Sequence, residues 1–331
     1  MTKKLVTFAF IPFLLVSCNG KKNGGDEGSL KIVCPSGAPA LAFYDQGNNP
    51  DFETKGKPNL VLAELQKNDY DVVIFDSING LKSIKSHEEE NGVNYRLAKI
   101  ITGGNFHLVS INKDPDGDGN YPLPSAGDKI ISFGQGLIPD LVYTKLASDY
   151  WHISNTPTYC GSGVSDAQAV LTAGTYGGEA VDYVFIAEPA LTSVENDSTA
   201  ATYGKIGRVR NIREDWKELT GQDGLAQAGV FVNANAISSK PNVLKSLMQD
   251  IDRRIDTAIS NPDVAAASLD VYGDLSAQKA KFGFVSNIVR KVQGNGANGF
   301  GMVASSETID VNAFLTELGQ PAFEDKYFVN I

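Results

Sequence analysis

The chain has 331 residues, a formal net charge of −10 and three cysteines. An acidic chain without a basic stripe speaks against nucleic acid as a partner. About 300 residues follow the N-terminal segment, enough for two lobes that each bury a core.

Lys3 and Lys4 come first, and the apolar run Leu5–Val16 follows. That run is too short to span a membrane as a mature helix and has the layout of a signal segment. Leu15-Val16-Ser17-Cys18 resembles the lipobox of bacterial lipoproteins. The resemblance implies a diacylglyceryl group on the Cys18 thiol and cleavage after residue 17, which makes Cys18 the mature N-terminus. Two or more acyl chains, at roughly 0.8 kcal/mol per buried CH2, anchor stably where one does not. The alternative is a plain secretory signal with a chance cysteine. Residues 18–29 include the Gly-rich "GKKNGGDEGS" and read as a flexible tether. The expected location is therefore extracytoplasmic, at a bacterial membrane. Losing residues 1–17 removes two lysines and no acid, which takes the charge from −10 to −12.

The folded body starts with "LKIV" (30–33), a short strand. Ser36 is placed to cap a helix beginning at Gly37 or Ala38, with Pro39 allowed in its first turn. "NLVLAELQ" (59–66) has helical apolar spacing. "YDVVIF" (70–75) is a buried strand, and Asp76-Ser77 caps the helix "INGLKSIK". Ile100 to Ile111 carries another strand. "KIISF" (129–133) is a strand followed by the loop and helix "GQGLIPDLVYTKLA". "TPTYCGSGVSDAQAVLTAG" is strand, loop and helix, and "VDYVFI" precedes the helix "AEPALTSV". Phe231-Val232-Asn233 is a return strand, and a largely helical C-terminal third follows.

This alternation predicts an α/β protein with two lobes, each a mostly parallel sheet with helices on both faces. The chain is expected to cross between lobes near Ser110–Lys113 and Gly229–Asn233. Residues 30–112 plus 231–331 would then form lobe 1 and residues 113–230 lobe 2. Ligands bind at strand ends in such sheets.

The stretches "YCGSGVSDAQAVLTAG", "VDYVFIAEPALTSV" and "AQAGVFVNANAISSKPNVLKSLMQDIDRRIDTAISNPDVAA" resemble the extracytoplasmic substrate-binding proteins for nitrate, sulfonates, taurine and thiamine precursors. The resemblance runs from about Leu30 to Gly319. It implies the type II periplasmic-binding-protein fold and a small-molecule ligand. It also implies delivery to an ABC importer's permease and ATPase, by a monomer, without a cofactor. "DPDGDGNYPLP" (114–124) looks like an insertion. The alternative is a sensor or adhesion lipoprotein that keeps the fold without transport.

Four loops follow strand ends and open helices: Ser36-Gly37, Asp76-Ser77, Gln135-Gly136-Leu137 and Gly161-Ser162-Gly163. Helix N-termini offer unpaired N–H groups and partial positive charge, so these loops are expected to line the cleft. Cys160 adjoins the last of them. Glu188 either receives an amine of the ligand or caps the helix after it. As a carboxylate, it argues weakly against a sulfonate. Asn105, Phe106 and His107 are further candidates, Phe106 to stack on a ring and His107 to donate a hydrogen bond. The alternative for both is a core role.

Cys34 and Cys160 fall one per lobe. A bond between them would lock the cleft, so free thiols are expected. Asp114–Gly119 matches the first half of a calcium loop, but Ser125 stands where a bidentate Glu is required. Gly294, Gly296 and Gly299 spell G-x-G-x-x-G after a helical segment rather than a strand, which fails the dinucleotide pattern. His87, His107 and His152 lie in unrelated settings and no catalytic motif is found, so the chain is read as a binder and not as an enzyme.

Overall fold

The computed structural model describes residues 28–294 and 299–331. The expected signal segment, Cys18 and tether residues 18–27 lie outside them, as do residues 295–298 of the Gly294–Gly299 motif.

The first part of the chain alternates as expected: β1 (Ile32–Pro35), a 3-10 turn (Ala38–Phe43), β2 (Phe52–Lys55), α1 (Pro58–Lys67), β3 (Val72–Asp76), α2 (Ser77–Ser86), α3 (Glu88–Asn91) and β4 (Tyr95–Thr102). In β3, Val72 and Ile74 enter one core while Val73 and Phe75 enter the other. Successive side chains of a strand point to opposite faces. A β-branched run that is buried throughout is therefore a strand covered on both sides.

The second part holds β5 (Phe106–Ile111), β6 (Ile130–Ser132), α4 (Ile138–Asp149), β7 (Thr158–Tyr159) and α5 (Val164–Ala173). The small hairpin β8 (Thr175–Tyr176) and β9 (Glu179–Ala180) follows, then β10 (Tyr183–Ala187), α6 (Ala190–Glu195), β11 (Ile206–Asn211) and α7 (Ile212–Thr220). The return strand is β12 (Ala228–Asn233). The C-terminal helices are α8 (Ala234–Ser239), α9 (Pro241–Ser260), α10 (Pro262–Tyr272), α11 (Leu275–Phe282), α12 (Ser286–Gly294) and α13 (Val311–Glu317). Helix α9 buries Leu244, Met248, Ile251, Ile255 and Ala258, one face of a 3.6-residue period, against the first sheet's core.

The strand orders are β2-β1-β3-β12-β4 and β11-β5-β10-β6-β7. In each sheet one strand runs against the rest. Strand β12 is antiparallel to β3 and β4, and β5 is antiparallel to β10 and β11. Both sheets are thus mostly parallel, and the odd strand in each is the one that enters straight after a crossing.

The crossings lie earlier than expected. The chain leaves the first sheet at Gly103–Asn105 and returns over residues 221–227. The apolar run Ile100–Ile111 is not one strand but the end of β4 and the whole of β5, parted by Gly103-Gly104, with Gly104 at φ +119°. Burial alone does not say which sheet an apolar strand joins, so β5 was assigned to the wrong lobe. A third segment runs alongside the two crossings. Gly103 N donates to Gly301 O at 2.6 Å, Val303 N to Ile101 O at 3.0 Å, and Leu225 N to Gly103 O at 2.8 Å. Close packing here requires glycine: a Cβ on Gly301, at φ +67°, would sit 2.3 Å from Gly104 O.

Helix α13 ties the C-terminus to the second sheet. Its Phe314 packs on Trp216 of α7, with ring centroids 5.1 Å apart.

Candidate ligand cleft

A cavity of about 230 Å³ lies between the two sheets. The first sheet's side supplies Ser36, Gly37, Phe75 and Asp76; the second supplies Phe106, Phe133, Leu137, Ile138, Ser162 and Val164. Asn105, Glu188 and Gln227 line it near the crossings. The volume is below the usual 300–1,000 Å³ of drug-sized sites, which suits a ligand of about one ring.

Nine of the expected residues therefore meet at one cavity: Ser36, Gly37, Asp76, Asn105, Phe106, Leu137, Ser162, Gly163 and Glu188. Ser77, His107, Gln135, Gly136, Cys160 and Gly161 are not among its lining residues. Ser77 is fully buried and its hydroxyl bonds to Ala226 O. Gln135 and Gly136 are exposed. His107 follows Phe106 in a strand and so faces the other side of the sheet, toward Arg208 and Asn211 in a separate cavity. Burial and the nearby Arg208 charge push its pKa down to about 3, so it is neutral at physiological pH.

The Cys160 thiol donates to Ser132 O at 3.2 Å, and burial raises its pKa to about 11. It and Cys34 are free thiols, as expected. Cys34 is buried in the first core. In the acidic turn, Asp116 Oδ1 accepts from the N–H groups of Asp118 and Asn120 at 3.0 and 2.8 Å. Among the described residues no cluster of His, Cys, Asp or Glu could hold a metal.

The helix starts differ from expectation in one respect: Ser36 caps nothing. The segment after β1 is a 3-10 turn with Gly37 at its start and no side-chain cap. Asp76 does cap α2, accepting from Asn79 N at 2.8 Å and Asn79 Nδ2 at 3.0 Å. Across the cavity, the Ile138 N–H of α4 lies close enough to the Asp76 carboxylate to favour its ionised form. Burial outweighs these bonds, and the Asp76 pKa is raised. At α4, Asp140 Oδ2 accepts from Gly136 N at 2.7 Å. At α5, Asp166 Oδ2 accepts from Gly163 N at 3.1 Å.

Glu188 takes the helix-capping role that was open for it. Its oxygens accept from Thr192 N at 3.0 Å and Thr192 Oγ1 at 2.9 Å, and Arg208 pairs with it at 2.8 Å. Burial raises its pKa, partly countered by Arg208.

Gln227 was not singled out in the sequence, although it lies in a stretch that carries the resemblance. Its Nε2 donates to Asn105 Oδ1 at 2.9 Å, and Asn105 Nδ2 donates to Glu188 O at 2.5 Å. This chain fixes both amide orientations. The Gln227 Oε1 is buried and has no hydrogen-bond partner among the described residues. No sequence signal marked Gln227, because it sits in an irregular crossing and gains its place from Asn105. Phe75 and Phe133 were likewise read as ordinary strand residues, and only their position at strand ends brings them to the cavity.

No family model matches the sequence, and no curated protein matches it. Solved structures do resemble it. One is described as an ABC transporter from Parabacteroides distasonis, with TM-score 0.57 and 17% identity over 91% of this chain and 95% of that one. Another is the ligand-binding component of an ABC-type import system from Staphylococcus aureus with zinc bound, with TM-score 0.62 and 10% identity over 91% and 96%. A third is the alkanesulfonate-binding protein SsuA from Xanthomonas axonopodis pv. citri bound to MOPS, with TM-score 0.54 and 14% identity over 89% and 91%.

The protein thus has the two-lobed α/β fold of periplasmic binding proteins. Two of these neighbours are described as binding proteins, the Staphylococcus aureus one as the ligand-binding component of an ABC-type import system and the Xanthomonas one as alkanesulfonate-binding. Among the described residues no helix is long and apolar enough to cross a membrane.

Proposed function

We propose that this chain is a lipid-anchored solute-binding protein that captures a small molecule between its lobes and hands it to an ABC permease and ATPase. The observation that carries this reading is the cavity itself, walled by both sheets and bordered by the crossings. A solute there touches both lobes, so it favours the closed form. Shifting such a population from mostly open to mostly closed takes a roughly 10⁴-fold preference, about 5.5 kcal/mol. Cys18 would hold the molecule at the membrane as a monomer through the tether of residues 18–29.

The test is a thermal-shift screen of small solutes, followed by small-angle scattering with each hit. Compaction on binding supports the reading. The control is Gln168→Trp. Gln168 lines the cavity from the regular helix α5 and is half-buried, so bulk there fills ligand space and spares the cores. Gly161 is a poor choice for that control, because an added Cβ would lie 2.1 Å from Asp166 Oδ2. Hits that bind Gln168→Trp as tightly as the wild type would place the site elsewhere and end this reading.

A further inference from the structure

Among the described residues, the walls of the cleft contain no Lys, Arg or His. Carboxylates of the chain itself sit at the helix starts around the cleft: Asp76 accepts from Asn79 N in α2, Glu188 from Thr192 N in α6, Asp166 from Gly163 N just before α5, and Asp140 from Gly136 N in the loop before α4. An oxyanion entering the cleft would meet these carboxylates near the helix starts, and would face Asp76 as a like charge in a site of low dielectric. What remains unpaired is an acceptor, Gln227 Oε1, held in place by Asn105. The other walls are largely apolar, with Phe75, Phe106 and Phe133 among them, and also carry the polar side chains of Ser36, Ser162 and Gln168.

We propose that the cleft selects a small aromatic or heteroaromatic ring bearing N–H donors, neutral or cationic, and excludes oxyanions such as sulfonates and nitrate. This rests on the solute-binding role above and narrows it. The ring lies among the phenylalanines, one donor meets Gln227 Oε1, and another meets the Asp76 carboxylate. Burying Gln227 Oε1 without a donor is unfavourable, so a donor-bearing ligand gains where an isosteric hydrocarbon does not.

The test compares matched probes by calorimetry on the purified full-length chain: 4-aminopyrimidine and benzamidine against benzenesulfonate and nitrate. The donor probes are expected to bind and the anions not. Asp76→Asn retains a good helix cap and should weaken the donor probes about tenfold or more while admitting benzenesulfonate. Gln227→Leu should weaken them by about tenfold without admitting it. Benzenesulfonate or nitrate binding the wild type as tightly as the donors would overturn the ligand class. If Gln168→Trp then abolishes that anion binding, capture in the cleft stands and only the ligand class falls. Failure of both donor probes to bind also overturns the ligand class, and the wider screen then judges the solute-binding role on its own.

Discussion

Gln227 Nε2 donates to Asn105 Oδ1 at 2.9 Å, and the two residues lie on the two crossings between the sheets. One hydrogen bond therefore joins the path out of the first sheet to the path back, at the wall of the cavity. Asn105 also holds Glu188 O, so the start of α6 is fixed to the same point. A ligand that paired with Gln227 would therefore touch a point shared by both crossings.

Those segments have little room for side chains. A Cβ on Gly301 would approach Gly104 O to 2.3 Å and Asn105 N to 2.9 Å, both backbone atoms that cannot rotate away. Gly301→Ala should cost more than about 1 kcal/mol in urea unfolding, since it adds a clash to a left-handed backbone. Gly136→Ala is the comparison: its φ is +74°, but an added Cβ meets nothing within 4 Å. It should cost about 1–2 kcal/mol from the backbone alone, and less than Gly301→Ala. Equal losses in the two variants would show that the crossings are not tightly packed.

The anchor is tested at Cys18. Cys18→Ala should move the protein from the membrane to the soluble extracytoplasmic fraction, because the acyl chains have no thiol to join. A variant that still sediments with salt-washed membranes would rule out the lipid anchor.

Thiol chemistry should separate the two remaining cysteines from a disulfide and from each other. In the unreduced native protein, Cys34 is shielded by the first core and Cys160 is half-buried with its pKa raised to about 11. Only the thiolate is nucleophilic, so alkylation near pH 8 should be slow at Cys160 and slower at Cys34. In denaturant both should react at once. A mass spectrum showing the two joined would contradict the free thiols and any motion of the lobes.

His107 makes stability depend on pH. Its folded pKa of about 3 lies below the ordinary value of 6.5. Between those values the unfolded chain takes up a proton that the folded one refuses, so stability is lost as pH falls below about 6.5. The slope is at most about 1.4 kcal/mol per pH unit. The raised pKa values of Asp76 and Glu188 act in the opposite sense. His107→Gln should flatten the urea midpoint between pH 6.5 and 5. An unchanged slope would mean that His107 is not the group responsible.

Much of the architecture was legible in the sequence, because it follows from local rules. The β-branched run of β3, the capping Asp76 and the helical stripe of α9 each state their own element through side-chain chemistry and period. Alternation of such elements fixes a mostly parallel, helix-covered sheet, and two rounds of it fix two lobes. The helix starts at Asp76, Leu137 and Ser162 were found in this way. Tertiary structure alone decided which sheet each strand joined, since Phe106–Ile111 is equally apolar whichever neighbour it pairs with. It also decided which side of a strand faced the cleft, separating Phe106 from His107, and whether a carboxylate met a ligand or its own helix, as at Glu188. Gln227 became a candidate site residue only when folding brought it beside Asn105, 122 positions away in the chain. Hydrogen-bond partners at that separation are set by how the sheets pack, and no local pattern encodes them.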